Sequence, residues 1–420
     1  MIAPKSRSNE RPWYRMKRIW LAFIIAVCLL VLNACASMQM IMQTADNRMN
    51  DAPAAPTINV NGFDEEKIRQ TLEAEVYGPI PELGTVVIKE RRVINEAAFE
   101  GLATLEEVTL NVTPEFGSDS LKNPQASADF TFVLLSPTSA KGPVPVIMME
   151  TFCPNHDTIP LEGIRKPGGN YFSCAGDGLM NTVFGFFFGR YIRTPPLESI
   201  LARGYAVAST YSSAYVPDRA ETALPLLRAQ YNDARAIGMW AYQFAAMSKT
   251  LKDDPRFNKT VAYGHSRYGK SALVAAAFFD NIDGVMAHQS GTGGASLSRD
   301  KPGETVAQIT ESYPHWFAER YREDALTYDQ HHLLALIAPR PILLGNAKRD
   351  VWSDPEGAFR AAKAVTPLYQ SMGKTGMSAT KIKHFRPSDD IAYWIRNGTH
   401  GIVKEDWPAF LDFMDAHFGG

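Results

Sequence analysis

The sequence predicts an α/β protein with a mostly parallel central sheet and helices on both faces. Three observations carry this. From Pro56 onward, extended apolar runs alternate with helical patterns, the order that covered parallel sheets produce. Pro145–Met149, Tyr205–Thr210 and Pro341–Gly345 are nearly continuous in apolar residues, as strands buried on both faces are. Thr260–Tyr263, a short β run, passes through a glycine-containing turn into the apolar helical run Ser271–Phe279.

The elements follow in order. Asp64–Val76 reads as an amphipathic helix ending before Tyr77-Gly78-Pro79. Thr85–Val93, Glu107–Val112 and Phe130–Leu135 read as strands, an antiparallel entry to the sheet. Residues 152–199, rich in Gly, Pro and aromatics, read as a loop inserted near the active face of one domain spanning 56–420. Asp233–Ser248 is a long helix with Trp240 and Phe244 on one face. Gly284–Met286 is a further strand, and Pro355–Met372 and Lys404–Phe418 are helices flanking an expected strand at Lys381–Phe385.

Ahead of the domain, a basic stretch precedes about 14 mostly apolar residues, Ile19 to Leu32. That length suits the core of an export signal better than a membrane span. It ends in Leu32-Asn33-Ala34-Cys35, similar to a bacterial lipoprotein box, so residues 1–35 are expected to be a signal peptide with Cys35 as the lipidated residue. Residues 36–55, rich in Met, Asn, Ala and Asp, read as a flexible tether. A lipid on Cys35 would make the membrane a partner; export without lipidation is the alternative. Cys153 and Cys174 could pair in an oxidising compartment or remain buried thiols. A formal net charge of −2 gives no basic field for nucleic acid. No Cys or His spacing of metal-site type occurs, and neither metal nor cofactor is expected.

Residues Gly264-His265-Ser266-Arg267-Tyr268-Gly269-Lys270-Ser271 satisfy two motifs at once. Read from Gly264 they spell G-x-x-x-x-G-K-S, a phosphate-cradling loop. Read from Ser266 they place a serine on a strand-to-helix turn, the setting of a nucleophile elbow. Export removes the protein from ATP, and more than 200 residues precede the motif, so a nucleotide partner is not expected. A serine hydrolase of the α/β-hydrolase fold, a three-layer αβα sandwich, then needs an acid and a histidine in that chain order. Asp350 follows the strand Ile342–Gly345, and His400 lies in Asn397-Gly398-Thr399-His400-Gly401 just before the last helix. His400 would take the Ser266 proton, and Asp350 would fix its tautomer and stabilise the imidazolium. His265, beside the nucleophile, is expected to point away from it; His384, near an expected strand end, is the rival base.

The elbow resembles the G-C-S-R-x-G-K signature of the glucuronoyl esterases, carbohydrate esterase family 15. Gln289–Gly294, Gly303-Glu304-Thr305, Pro314–Phe317, Asp350–Gly357, Asn397–Gly401 and Glu75–Pro79 resemble further segments of that family, so the similarity runs from about residue 60 over most of the chain. There are two departures: His265 stands where the family usually has cysteine, and Gln289 where many members keep a catalytic glutamate. The resemblance implies an esterase that cleaves the link between 4-O-methyl-glucuronic acid on xylan and a lignin alcohol, through an acyl-enzyme on Ser266. It further implies Arg267 as an oxyanion donor, and Lys270, Trp352 and Glu304 as contacts to the sugar. An acetyl- or feruloyl-type esterase with the same triad is the alternative. A catalytically weak glycan-binding surface lipoprotein is a third reading, prompted by Gln289.

Overall fold

The computed structural model describes residues 56–117, 127–169, 171, 173–174 and 188–419. The expected signal segment, Cys35 and the tether lie outside them. Among the described residues nine strands form one sheet: β1 (Glu82–Ala97), β2 (Ala103–Glu115), β3 (Ala128–Pro137), β4 (Val144–Glu150), β5 (Ala206–Thr210), β6 (Phe257–His265), β7 (Gly284–His288), β8 (Ile342–Ala347) and β9 (Ile391–Arg396). Their order across the sheet is β1-β2-β3-β5-β4-β6-β7-β8-β9. β1 to β3 are antiparallel, β3 pairs antiparallel with β5, and every pairing from β5 to β9 is parallel. This is the sheet of an α/β-hydrolase.

The alternation in the sequence becomes layering. One face carries α1 (Glu65–Leu72), α2 (Ala236–Lys252), α3 (Arg267–Phe278) and α4 (Pro355–Ser371), with Trp240, Phe244, Leu273 and Val365 buried among them. The other face carries α5 (Asp406–Phe418) and the short helix Leu197–Ala202, with Trp407, Phe410 and Leu201 in its core. The buried positions of β4, β5 and β8 explain their largely apolar runs, since both faces are covered.

Three sequence expectations need correction. Lys381–Phe385 is not a strand but irregular chain with a turn; the final strand is Ile391–Arg396, which registers on Ile342–Ala347. The first helix ends at Leu72 and continues as a wider turn, Glu73–Tyr77, closed by Gly78 at φ 71°. His384 is exposed and away from any strand end. The two cysteines whose state was open are joined as a Cys153–Cys174 disulfide that ties the insertion to the end of β4.

Candidate active site

The parallel strands deliver their loops to one end of the sheet. β6 ends at His265, and Ser266 turns the chain into α3 with φ 58° and ψ −121°. A non-glycine residue in that region stores on the order of 1–3 kcal/mol, held here by its surroundings. The Ser266 N–H donates to His288 O of β7 at 2.8 Å, and the Ser266 carbonyl accepts from Gly269 N at 2.9 Å. Gly264 permits the tight return, because a Cβ there would lie 1.9 Å from Tyr268 O. The turn is therefore an elbow presenting the Ser266 hydroxyl. As a phosphate loop it fails: the Lys270 ammonium turns inward to Ser290 O, and the Ser271 hydroxyl bonds Glu150.

β8 delivers the candidate acid. Asp350 is buried, and its Oδ2 accepts from His400 Nδ1 at 2.8 Å. Burial alone would raise its pKa, but the His400 charge and the bonds from His400 and Ser353 outweigh that and hold it below the usual carboxylate value. Ser353 Oγ also lies 3.2 Å from His400 Nδ1. The ring of His400 sits 4.6 Å from that of His265, which places the base at the C-terminal end of β6, beside the elbow. The candidate acid and base thus meet across 50 residues of sequence, next to the serine.

Gln289, the departure at the turn after β7, is a clip. Its Nε2 donates to Asp350 Oδ2 at 2.9 Å and to Thr399 O at 3.2 Å, while its Oε1 accepts from Gly401 N at 2.9 Å. One neutral side chain therefore grips the acid and both sides of the histidine. An amide suits this task because it has donors for the carboxylate and carbonyl and an acceptor for the N–H.

Arg267, the first residue of α3, bonds the Asp218 carboxylate, and its guanidinium lies over Trp316 at 4.9 Å, Phe152 at 5.4 Å and Tyr313 at 5.7 Å from the ring centroids. Asp218 also accepts from Trp316 Nε1 at 2.7 Å and lies 3.0 Å from His315 Nε2. Lys270 is 4% exposed, and burial lowers its pKa to about 8. Glu304 is buried, and its charge works in the opposite sense on Lys270. Its N–H donates to Trp352 O at 3.0 Å, so the Glu304 and Trp352 loops are tied together. Trp352 is 43% exposed, a large apolar ring open to a ligand rather than a core aromatic.

The structure thus joins Asp350 to His400 beside Ser266, sets Arg267 at the start of the elbow helix, and links Lys270, Glu304 and Trp352 around the same strand ends. Sequence reasoning missed Asp218 and Ser353, and it gave His265 no part. That residue is buried, with its ring against that of His400. Only the Pro314–Phe317 segment gave a signal for the Arg267 cage.

A family profile described as "Glucuronyl esterase, fungi" matches residues 230–373. A carbohydrate esterase from an unknown prokaryotic organism is 30% identical over 378 residues, 84% of each chain. A 4-O-methyl-glucuronoyl methylesterase of Wolfiporia cocos is 30% identical over 156 residues, 33% of this chain and 38% of that protein. The solved glucuronoyl esterase from Solibacter usitatus superposes with a TM-score of 0.72 at 27% identity, covering 88% of this chain and 98% of that one.

Proposed function

The chain belongs to the glucuronoyl esterases, carbohydrate esterase family 15, and from that premise we propose that it hydrolyses 4-O-methyl-glucuronoyl esters, the links between glucuronoxylan and lignin alcohols, by way of Ser266. The observation that carries the assignment of roles is the His400–Asp350 hydrogen bond at 2.8 Å beside the Ser266 elbow.

Ser266 Oγ attacks the uronic acid carbonyl as His400 Nε2 takes its proton, and Asp350 stabilises the imidazolium through Nδ1. The oxyanion meets the backbone N–H of Arg267, which as the first residue of a helix has no intrahelical acceptor, and the guanidinium of Arg267. His400 returns the proton to the departing alcohol. Water, activated by the same histidine, then releases the glucuronic acid and frees Ser266. Trp352 covers the sugar ring, and Lys270, its ammonium on Ser290 O, places positive charge beneath the sugar site beside Glu304. The domain occupies residues 56–420, with the insertion near 152–199. Export, with Cys35 lipidated and residues 36–55 as tether, puts the catalyst where its polymer is; the Cys153–Cys174 bond supports an oxidising destination. Among the described residues no helix is long and apolar enough to cross a membrane.

The test is turnover of benzyl glucuronate beside an aryl acetate by the purified protein, with Ser266→Ala as control. Ser266-dependent cleavage of the uronate in preference to the acetate is expected. Cleavage of acetate alone would replace the uronate reading with an acetyl esterase, and no turnover of either would leave a glycan-binding protein.

A further inference from the structure

The in-plane bonds to His400 do not fully position it. Asp350 Oδ2 and Ser353 Oγ both meet its Nδ1, so they fix one edge of the imidazole and leave it free to swing about that edge. Gln289 and Arg396 hold the backbone on both sides of the residue, at Thr399 and Gly401, but those bonds leave the rotation of the ring itself open. What opposes the swing is a contact to the ring face. His265 supplies it, with ring centroids 4.6 Å apart and planes tilted by 47°.

We propose that His265 is a positioning residue for His400, a neutral imidazole wedge that holds the plane of the base toward Ser266. The wedge is anchored from below. His265 Nδ1 lies 3.1 Å from His288 Nδ1, so one ring donates and the other accepts. His288 Nε2 lies 3.6 Å from Asp406 Oδ1, and Asp406 is gripped by Arg396 Nε at 2.9 and 3.0 Å and by Trp394 Nε1 at 3.1 Å. The carboxylate favours hydrogen on His288 Nε2. His288 Nδ1 is then the acceptor, and His265 donates from Nδ1. Phe152 closes another side of the ring at 6.0 Å, edge-on. Burial first, then the neighbouring His400, His288, Arg396 and Lys270, keep His265 uncharged. A neutral ring accommodates the cation that His400 becomes during attack, whereas a charged one would oppose it.

This inference rests on the Ser266–His400 reading, and the experiment separates the two. Wild-type turnover of benzyl glucuronate, or of aryl acetate, that is lost in Ser266→Ala tests the catalytic reading. Against that rate stand three variants of the full protein: His265→Ala and His265→Cys remove the ring, and His265→Phe keeps a ring but cannot bond His288. The ringless variants are expected to lower kcat tenfold or more with KM within threefold. His265→Phe is expected to recover kcat to within about threefold of wild type, with the acidic limb of the kcat/KM profile unmoved. A merely structural role would not follow ring content in this way. Ringless variants with kcat within twofold of wild type would overturn the proposal, as would a folded His265→Phe as impaired as His265→Ala.

Discussion

Replacing Gln289 by glutamate exchanges one heavy atom, the amide nitrogen for an oxygen, and reverses the electrostatics of the clip. The amide nitrogen lies 2.9 Å from Asp350 Oδ2, and both side chains are buried. Two carboxyls at that spacing share one proton, with one pKa strongly raised. A rise of roughly three units above the unfolded value is worth about 4 kcal/mol. The sign follows from which form can donate. Protonated, the introduced carboxyl can still donate to Asp350, so Gln289→Glu should approach wild-type stability below about pH 4. As pH rises toward the raised pKa, near 7, the repulsion is progressively felt and the full loss is present above it. At pH 8 the melting temperature should fall by roughly 6–10 °C. A second anion near His400 also stabilises the imidazolium, moving the acidic limb of kcat/KM upward. Thermal melts and initial rates from pH 4 to 9 on both proteins test this. A melting difference that is below about 1 °C, or constant across that range, would refute the shared-proton reasoning.

Four other outcomes are expected. Asp218→Asn removes the anion that holds Arg267 between three rings, and kcat/KM for the uronate ester should fall about 10- to 100-fold together with the melting temperature, because Arg267 is left buried without its counter-charge; steady-state kinetics and thermal melts read the two. Lys270, with its pKa lowered to about 8 by burial, is cationic below that pH; KM for the uronate ester should rise above it, and Lys270→Met should show a high KM without this limb. Burial's destabilising effect on Lys270 has the opposite course, being full below about 8 and relieved between there and the unfolded value. Replacing Cys153 and Cys174 with serine opens a loop with a sequence separation of 21 and should cost about 3 kcal/mol, measured by urea unfolding, with kcat retained. Combining Gln289→Glu with Asp350→Asn restores an anion near His400, and its kcat should exceed that of Asp350→Asn alone.

Much of this was legible in the chain. β4, β5 and β8 announce themselves because a strand covered on both faces must be apolar throughout. The triad order shows because each member follows a recognisable strand or precedes a helix. β9 was missed because the strand between the last two helices was placed at Lys381–Phe385, although Ile391–Ile395 carries the apolar run; its partner, β8, is distant in sequence. Asp218 gives no local signal, since its role comes from Arg267, His315 and Trp316, up to 98 residues away. His265 shows no partner in the sequence, because the ring it meets, His400, arrives on a loop far along the chain. Gln289 stood out only as a missing charge; that it binds Asp350, Thr399 and Gly401 together is information about three loops in space.

The clip also constrains how such an enzyme can change over generations. An acid on the β8 loop and an acid on the β7 turn are two workable addresses for the same charge, yet no single substitution leads from one to the other. Adding the second carboxyl first sets two anions against each other, and losing Asp350 first leaves His400 with only Ser353 on its Nδ1 edge. In this protein a change at either address alone carries a cost, and Gln289 is the side chain that fits an acid held at Asp350.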